Sequence, residues 1–281
     1  MCDVNKSTVI FLHIPKAAGS TMHKILEREY LKASIYSFDT TKQKASIEKY
    51  KQLTVEEKSG IRLLKGHMPF GLHEYIPHAA KYITMLREPV DRVISHYNYA
   101  ACTPGHYLQH YITKEGMDLQ TYVGSGVSHE MDNGQVRLLS GHDDDLPYGA
   151  CNEELLEQAK RNLNEYFPVV GLAERFDESV LLMREVLGWK RLPIYVSRKV
   201  GMRKQGAEPV SPDVRDYIRK INSLDYKLYK YATELFDERL AEYSDKIALE
   251  LGRFQRINSA YGIAGRTGIG LRILVKRVVR N

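Results

Sequence analysis

Cysteine is scarce: Cys2, Cys102 and Cys151 are the three in 281 residues, odd in number, far apart and never paired as CxxC. That pattern argues against structural zinc and against a disulfide framework. No run approaches the roughly 18 consecutive apolar residues of a membrane-spanning helix, so no span is expected. The opening stretch MCDVNKSTVIFLHIPK lacks a basic segment followed by a long apolar core. It reads as a first strand and not as a signal peptide, and with few cysteines it points to the cytoplasm. Net charge is small, +6, and much of the excess lies in Gly262 to Asn281, which holds Arg266, Arg272, Lys276, Arg277 and Arg280 and no acid. A body so nearly neutral does not suggest a nucleic-acid binder. Internal repeats and low-complexity segments are also missing.

What is there is an ordinary globular composition, 43% hydrophobic and 27% charged, long enough to bury a core unaided. One large domain over residues 1–261 and a short basic tail over 262–281 are expected. Strands are expected at Thr8–Ile14, Ile61–Lys65, Lys81–Leu86 and Pro168–Leu172, from short apolar, β-branched runs. Helical spacing marks Thr21–Tyr30, Pro89 to about Tyr99, Glu153–Asn164, Phe176–Leu187, Ser211–Ile221 and Leu224 to about Phe254. Strands alternating with helices predict an α/β fold, a central parallel sheet flanked by helices. Ala101 to Ala150 has little periodicity and reads as long loops with short helices. In the tail, Leu271, Leu274, Val275 and Val278 share a helical face, which suits contact with a membrane surface, a partner or the domain itself.

Two segments carry chemistry. Pro15-Lys16-Ala17-Ala18-Gly19-Ser20-Thr21 follows a strand and opens a helix. Small residues let the backbone curl around an anion, and helix-start N–H groups and the helix dipole favour negative charge. Lys16 adds a point charge, and the Ser20 and Thr21 hydroxyls add donors. The nucleotide-hydrolase loop GxxxxGK[ST] is absent, which disfavours ATP chemistry. In the second segment, Leu86-Arg87-Glu88-Pro89-Val90-Asp91-Arg92-Val93-Ile94-Ser95-His96-Tyr97, Arg87 stands at the C-terminal edge of a strand, where open α/β sheets bind ligands. Its guanidinium is suited to a phosphate, with Ser95 as a further donor. The alternative is an ion pair of Arg87 with Glu88 or Asp91.

Together the two segments resemble the sulfotransferases that use 3′-phosphoadenosine 5′-phosphosulfate, in particular heparan sulfate 2-O- and 6-O-sulfotransferases and bacterial proteins with HIPKTAGT-type loops. HIPKAAGST is similar to their 5′-phosphosulfate loop, and LREPVDRVISHY to their 3′-phosphate motif. Lys65-Gly66-His67-Met68-Pro69-Phe70 resembles the GHVSF-like segment of the 2-O enzymes. Ala159 to Phe167 with Val169 to Leu172 resembles their AK.NL…YF.VG segment, and the order of all four is kept. Ala17 stands where the bacterial loop has Thr, and Glu88 where the phosphate motif has Asp. The basic loop Arg198 to Gly206 is only loosely similar.

The resemblance implies a P-loop-like sulfotransferase fold and metal-free, in-line transfer of a sulfuryl group from 3′-phosphoadenosine 5′-phosphosulfate to a hydroxyl. The acceptor is expected to be a saccharide or other hydroxylated metabolite. It implies donor contacts from Lys16, Ala17, Ala18, Gly19, Ser20, Thr21, Arg87 and Ser95, with Arg203 and Lys204 closing over them. Lys16 would neutralise charge on the leaving oxygen, and His67 would be the general base. His13 reads as a core histidine. Gln135 and Arg137 are assigned to the acceptor side by likeness to the 6-O enzymes. His106 and His110, four residues apart, lack the Glu of a metal-binding helix motif and are not read as ligands. The competing readings are an ATP-using kinase on a P-loop-like scaffold and a non-catalytic nucleotide-binding module.

Overall fold

Five consecutive buried residues, Thr8–Leu12, make up β1, the composition of a strand covered on both faces. It is the middle strand of a parallel sheet. The computed structural model describes residues 7–39, 42–142, 146–196 and 209–267. The other strands are β2 (Ile35–Ser37), β3 (Leu63–Gly66), β4 (Ala80–Leu86) and β5 (Val169–Leu172), in the order β2-β3-β1-β4-β5. Leu12 stands opposite Gly66 on one side and Thr84 on the other, and Leu86 stands opposite Leu172. The C-terminal ends of β1, β3, β4 and β5 therefore open at one edge. Connections run from β1 to one side of the sheet and then to the other, and the crevice at such a reversal is where ligands bind in open α/β sheets.

Several of the flanking helices start at a local cap. Helix α1 (Gly19–Glu29) buries Met22, Ile25 and Leu26 against the sheet. The short helices α2 (Gln43–Lys51) and α3 (Val55–Ser59) follow, the latter opened by a reciprocal Thr54–Glu57 capping box. Helix α4 (Pro89–Cys102) has Pro89 in its first turn and the Glu88 carboxylate accepting from the Asp91 amide. Helices α5 (Gln109–Thr113), α6 (Leu119–Gly124) and α7 (Gly134–Ser140) lie in the stretch expected to be loops with short helices. Then come α8 (Glu153–Tyr166) with an Asn152 cap, α9 (Phe176–Leu187), α10 (Pro212–Ile221) with a Ser211 cap, α11 (Ser223–Glu242) and α12 (Ser244–Thr267). A second apolar cluster, built on Val90, Val93, Leu108, Tyr122, Val123 and Ile218, packs α5, α6 and α10 on α4 beside the open sheet edge.

The expected parallel α/β sheet flanked by helices is the architecture observed. Strand β2 is an addition: three half-exposed edge residues carry no readable pattern. The helix expected from Leu224 to Phe254 is two helices, broken at Tyr243. No Gly or Pro announces the break, which turns α12 back onto α9, with Ile247 and Phe254 buried. Helix α12 continues past Gly262, where composition marks the basic tail. Residues 268–281 of that tail lie outside the described residues.

Candidate functional site

One cleft of about 580 Å³ opens at the C-terminal sheet edge. Every strand bordering it contributes. After β1 come His13, Pro15, Lys16 and Ala18, and the first turn of α1 supplies Gly19, Ser20 and Thr21. After β3 comes His67, after β4 Arg87, and after β5 Ala173, Glu174 and Phe176, with Tyr195 beyond. From α4 come Asp91, Ser95 and Tyr99, four residues apart and so on one helix face.

The loop is tightly wound. Lys16 and Ala18 hold left-handed backbone conformations, φ 68° and 60°, which cost non-glycine residues about 1 kcal/mol or more each and gather at ligand sites. No side chain caps the start of α1 and no acid sits in its first turn, so no carboxylate of the helix itself offsets the dipole at this end. The Lys16 ammonium lies 3.8 Å from the centroid of Tyr99 across the cleft. Gly19 packs directly against a ring: a Cβ there would fall 1.8 Å from His13 Nε2, so a larger residue must displace His13. Gly19→Ala is expected to lower stability by ~1–3 kcal/mol, read as a shift of the urea midpoint. An unchanged midpoint would contradict this close packing.

Arg87 pairs with neither Glu88 nor Asp91. Its Nη1 donates to the Lys16 carbonyl at 3.1 Å, tying β4 to the loop. Glu88 caps α4, and Asp91 pairs with Arg215 at 2.9 Å. Three assigned residues are placed elsewhere. Ala17 is fully buried, and its amide donates to the Ile14 carbonyl, so it does not line the cleft. Gln135 is buried and clamps the Arg87 backbone: its Oε1 accepts from Arg87 N and its Nε2 donates to Arg87 O, both at 3.0 Å. Arg137 is buried in an ion pair with Asp132 and donates to the Leu146 and Pro147 carbonyls. With their polar atoms so committed inside the fold, Gln135 and Arg137 do not line the cleft. Arg203 and Lys204 lie outside the described residues. Gln135→Ala strips both partners from the Arg87 peptide groups, so a stability loss of ~1–3 kcal/mol is expected. Denaturant unfolding checks it, and a loss under about 0.5 kcal/mol would contradict the clamp.

His67 faces the cleft and stacks on His13 with ring centroids 4.2 Å apart. Burial lowers its pKa below the ordinary imidazole value, while the charge of Glu130 and a hydrogen bond to the His13 backbone pull the other way. Glu130 was not marked by any sequence pattern. Its carboxylate sits 3.3 Å from His96 Nε2 and 3.8 Å from Arg92 Nη1. Burial works against its charge, but His96, Arg92 and His67 outweigh it and hold its pKa at about 2. Arg92 is itself fully buried, 3.6 Å from the Asp225 carboxylate. His106 packs between Tyr99 and Tyr107, and His110 meets Glu115. Among the described residues no group of three or more His, Cys, Asp or Glu is arranged to hold a metal ion.

The family model for galactose-3-O-sulfotransferases matches residues 2–258. The chain belongs to the galactose-3-O-sulfotransferase family. It is 26% identical over 190 residues to galactose-3-O-sulfotransferase 2 of Sus scrofa, covering 63% of this chain and 46% of that one. It is 25% identical over 258 residues to galactose-3-O-sulfotransferase 3 of Bos taurus, covering 83% and 58%. It is 25% identical over 193 residues to heparan-sulfate 6-O-sulfotransferase 3 of Mus musculus, covering 56% and 38%. The chain thus spans about half the length of the curated relatives it matches. The sulfotransferase resemblance stands, with the galactose-3-O family as its centre. The cytoplasmic expectation is corrected: members of this family are Golgi membrane enzymes. Few cysteines and an early strand describe how the domain folds and not the compartment that holds it. No helix among the described residues is long and apolar enough to cross a membrane.

Proposed function

We propose that the cleft binds 3′-phosphoadenosine 5′-phosphosulfate and that the chain moves its sulfuryl group to a saccharide hydroxyl. One observation carries this reading: Lys16, the first turn of α1, Arg87, Ser95 and His67, separated by up to 79 positions in sequence, line a single cleft. When bound, the donor supplies an activated sulfuryl group on a phosphate leaving group.

The chain's own residues divide the rest. Lys16, the first-turn amides and the Ser20 and Thr21 hydroxyls hold the 5′-phosphosulfate and offset charge on the leaving oxygen. Arg87 and Ser95 hold the 3′-phosphate. Phe176 and Tyr195, edge to face with centroids 4.8 Å apart, offer an aromatic wall suited to the base. His67 takes the acceptor proton; burial keeps its imidazole neutral and able to accept. Cationic and N–H donors already balance the transferred group, so this reading asks for no metal. The family and the relatives named for galactose make a galactoside hydroxyl the first acceptor to try.

The test is transfer of labelled sulfate from the donor to a panel of β-galactosides, heparan-type oligosaccharides and simple alcohols. Label on a galactoside, lost with Lys16→Met, is the expected result. No label on any acceptor, from protein that binds the donor product, would reject catalysis in favour of a binding module.

A further inference from the structure

His13 lines the cleft but has no part in the reading above. Its ring lies against the first residue of α1, Nε2 being the atom nearest to where a Gly19 Cβ would stand, at 1.8 Å. Its other nitrogen, Nδ1, is 3.1 Å from His23 Nε2. His23 Nδ1 in turn is 3.4 Å from Lys65 Nζ, which also donates to Glu27 Oε1 at 3.0 Å. Lys65 is buried. A line of polar groups therefore runs from Glu27 on α1 through Lys65 and His23 to the cleft.

An ammonium offers donors and no lone pair, and this gives the line a direction. Lys65 donates to His23 Nδ1, which must present its lone pair. A neutral His23 then carries its proton on Nε2 and donates it to His13 Nδ1. His13 is left with its proton on Nε2, the nitrogen at the head of the anion loop. Both rings stay neutral: burial first, and then neighbouring positive charge, push His23 down to about 3 and His13 well below the ordinary value. The tautomer matters because the oxygens of a phosphosulfate only accept. A lone pair on Nε2 would repel them, whereas an N–H binds them. Neutral imidazoles held near helix N-termini act as donors of this kind.

We propose that His13 is a fixed hydrogen-bond donor of the anion site, its Nε2–H held toward the 5′-phosphosulfate by the Lys65–His23 line. The proposal rests on reading the cleft as a nucleotide donor site. His13 is then a binding residue and not a base, and His23 and Lys65 are positioning residues that act through it.

Two measurements test it. Long-range proton–nitrogen NMR of the free protein at neutral pH should show His13 as the Nε2–H tautomer, and Lys65→Met should give a mixed or reversed one. Calorimetric titration with adenosine 3′,5′-bisphosphate should show His13→Phe, which keeps a stacked ring, binding roughly 10- to 100-fold more weakly, as one hydrogen bond to a charged group is worth. His13→Gln, which returns an amide donor, should recover most of the loss. Adenosine 3′-monophosphate, lacking the 5′ group, should bind wild type and His13→Phe alike. An Nδ1–H tautomer in wild type, or equal bisphosphate affinity for wild type and folded His13→Phe, would overturn the proposal. Should His13→Phe not fold, the wild-type tautomer decides. A wild type that binds no bisphosphate would overturn the donor-site reading and this role together.

Discussion

Lys16→Met is expected to slow sulfuryl transfer by roughly 10²- to 10³-fold, the usual cost of losing one group that stabilises developing charge. Affinity for adenosine 3′,5′-bisphosphate should fall far less, by under about tenfold. The asymmetry follows from when the charge appears. On the proposed reading, a bound donor already has its phosphates held by the first turn of α1 and by Arg87. Negative charge on the bridging oxygen grows only as the bond to sulfur breaks, so a group placed there contributes to the rate and little to binding. The left-handed backbone at Lys16 and its reach toward Tyr99 across the cleft set the ammonium over the space between α1 and α4. Steady-state rates beside calorimetric affinities check this. Equal losses in both would make Lys16 a ground-state binding group.

His67→Asn is the second large effect. Removing a general base costs roughly 10²- to 10⁴-fold, with little change in bisphosphate affinity. The pH dependence carries the sign. Only neutral imidazole accepts a proton, so kcat/KM rises with pH and levels off above the His67 pKa. Burial disfavours the imidazolium and puts that value below the ordinary 6.5. Glu130 raises it, so Glu130→Gln should carry the rising limb to still lower pH. A limb above 6.5 in the wild type, or one that survives in His67→Asn, would remove His67 from the role. The same profile separates base from scaffold, since a structural histidine would lower the rate without erasing the limb.

The legible parts of this molecule are the local ones. Thr8–Leu12 is apolar enough to be a buried strand in any context, and Pro89 with its neighbouring acid announces α4. The loop after β1 was legible because its chemistry is consecutive: strand, Lys16, small residues, Gly19, two hydroxyls. Arg87 and Ser95 were legible because a strand edge and the next helix face that same point. What escaped depends on distant partners. Gln135 and Arg137 were assigned to an acceptor, yet their partners are the Arg87 peptide groups and Asp132, and a buried clamp has the same residue types as a binding site. Glu130 matters through His96 and Arg92 on another element. His13 was read as packing, which it is; its donor role emerges only when His23 and Lys65 are set beside it. Ala17 is the converse, a motif residue that serves the loop from beneath.

The kinase reading and the sulfotransferase reading part over the nucleotide. Titration of the purified chain with adenosine 3′,5′-bisphosphate, and separately with ATP and magnesium, tests the account at its centre. The account predicts tight bisphosphate binding that needs no metal, weakened by Arg87→Ala, and much weaker binding of ATP. Preference for ATP with magnesium, or bisphosphate binding indifferent to Arg87, would contradict it.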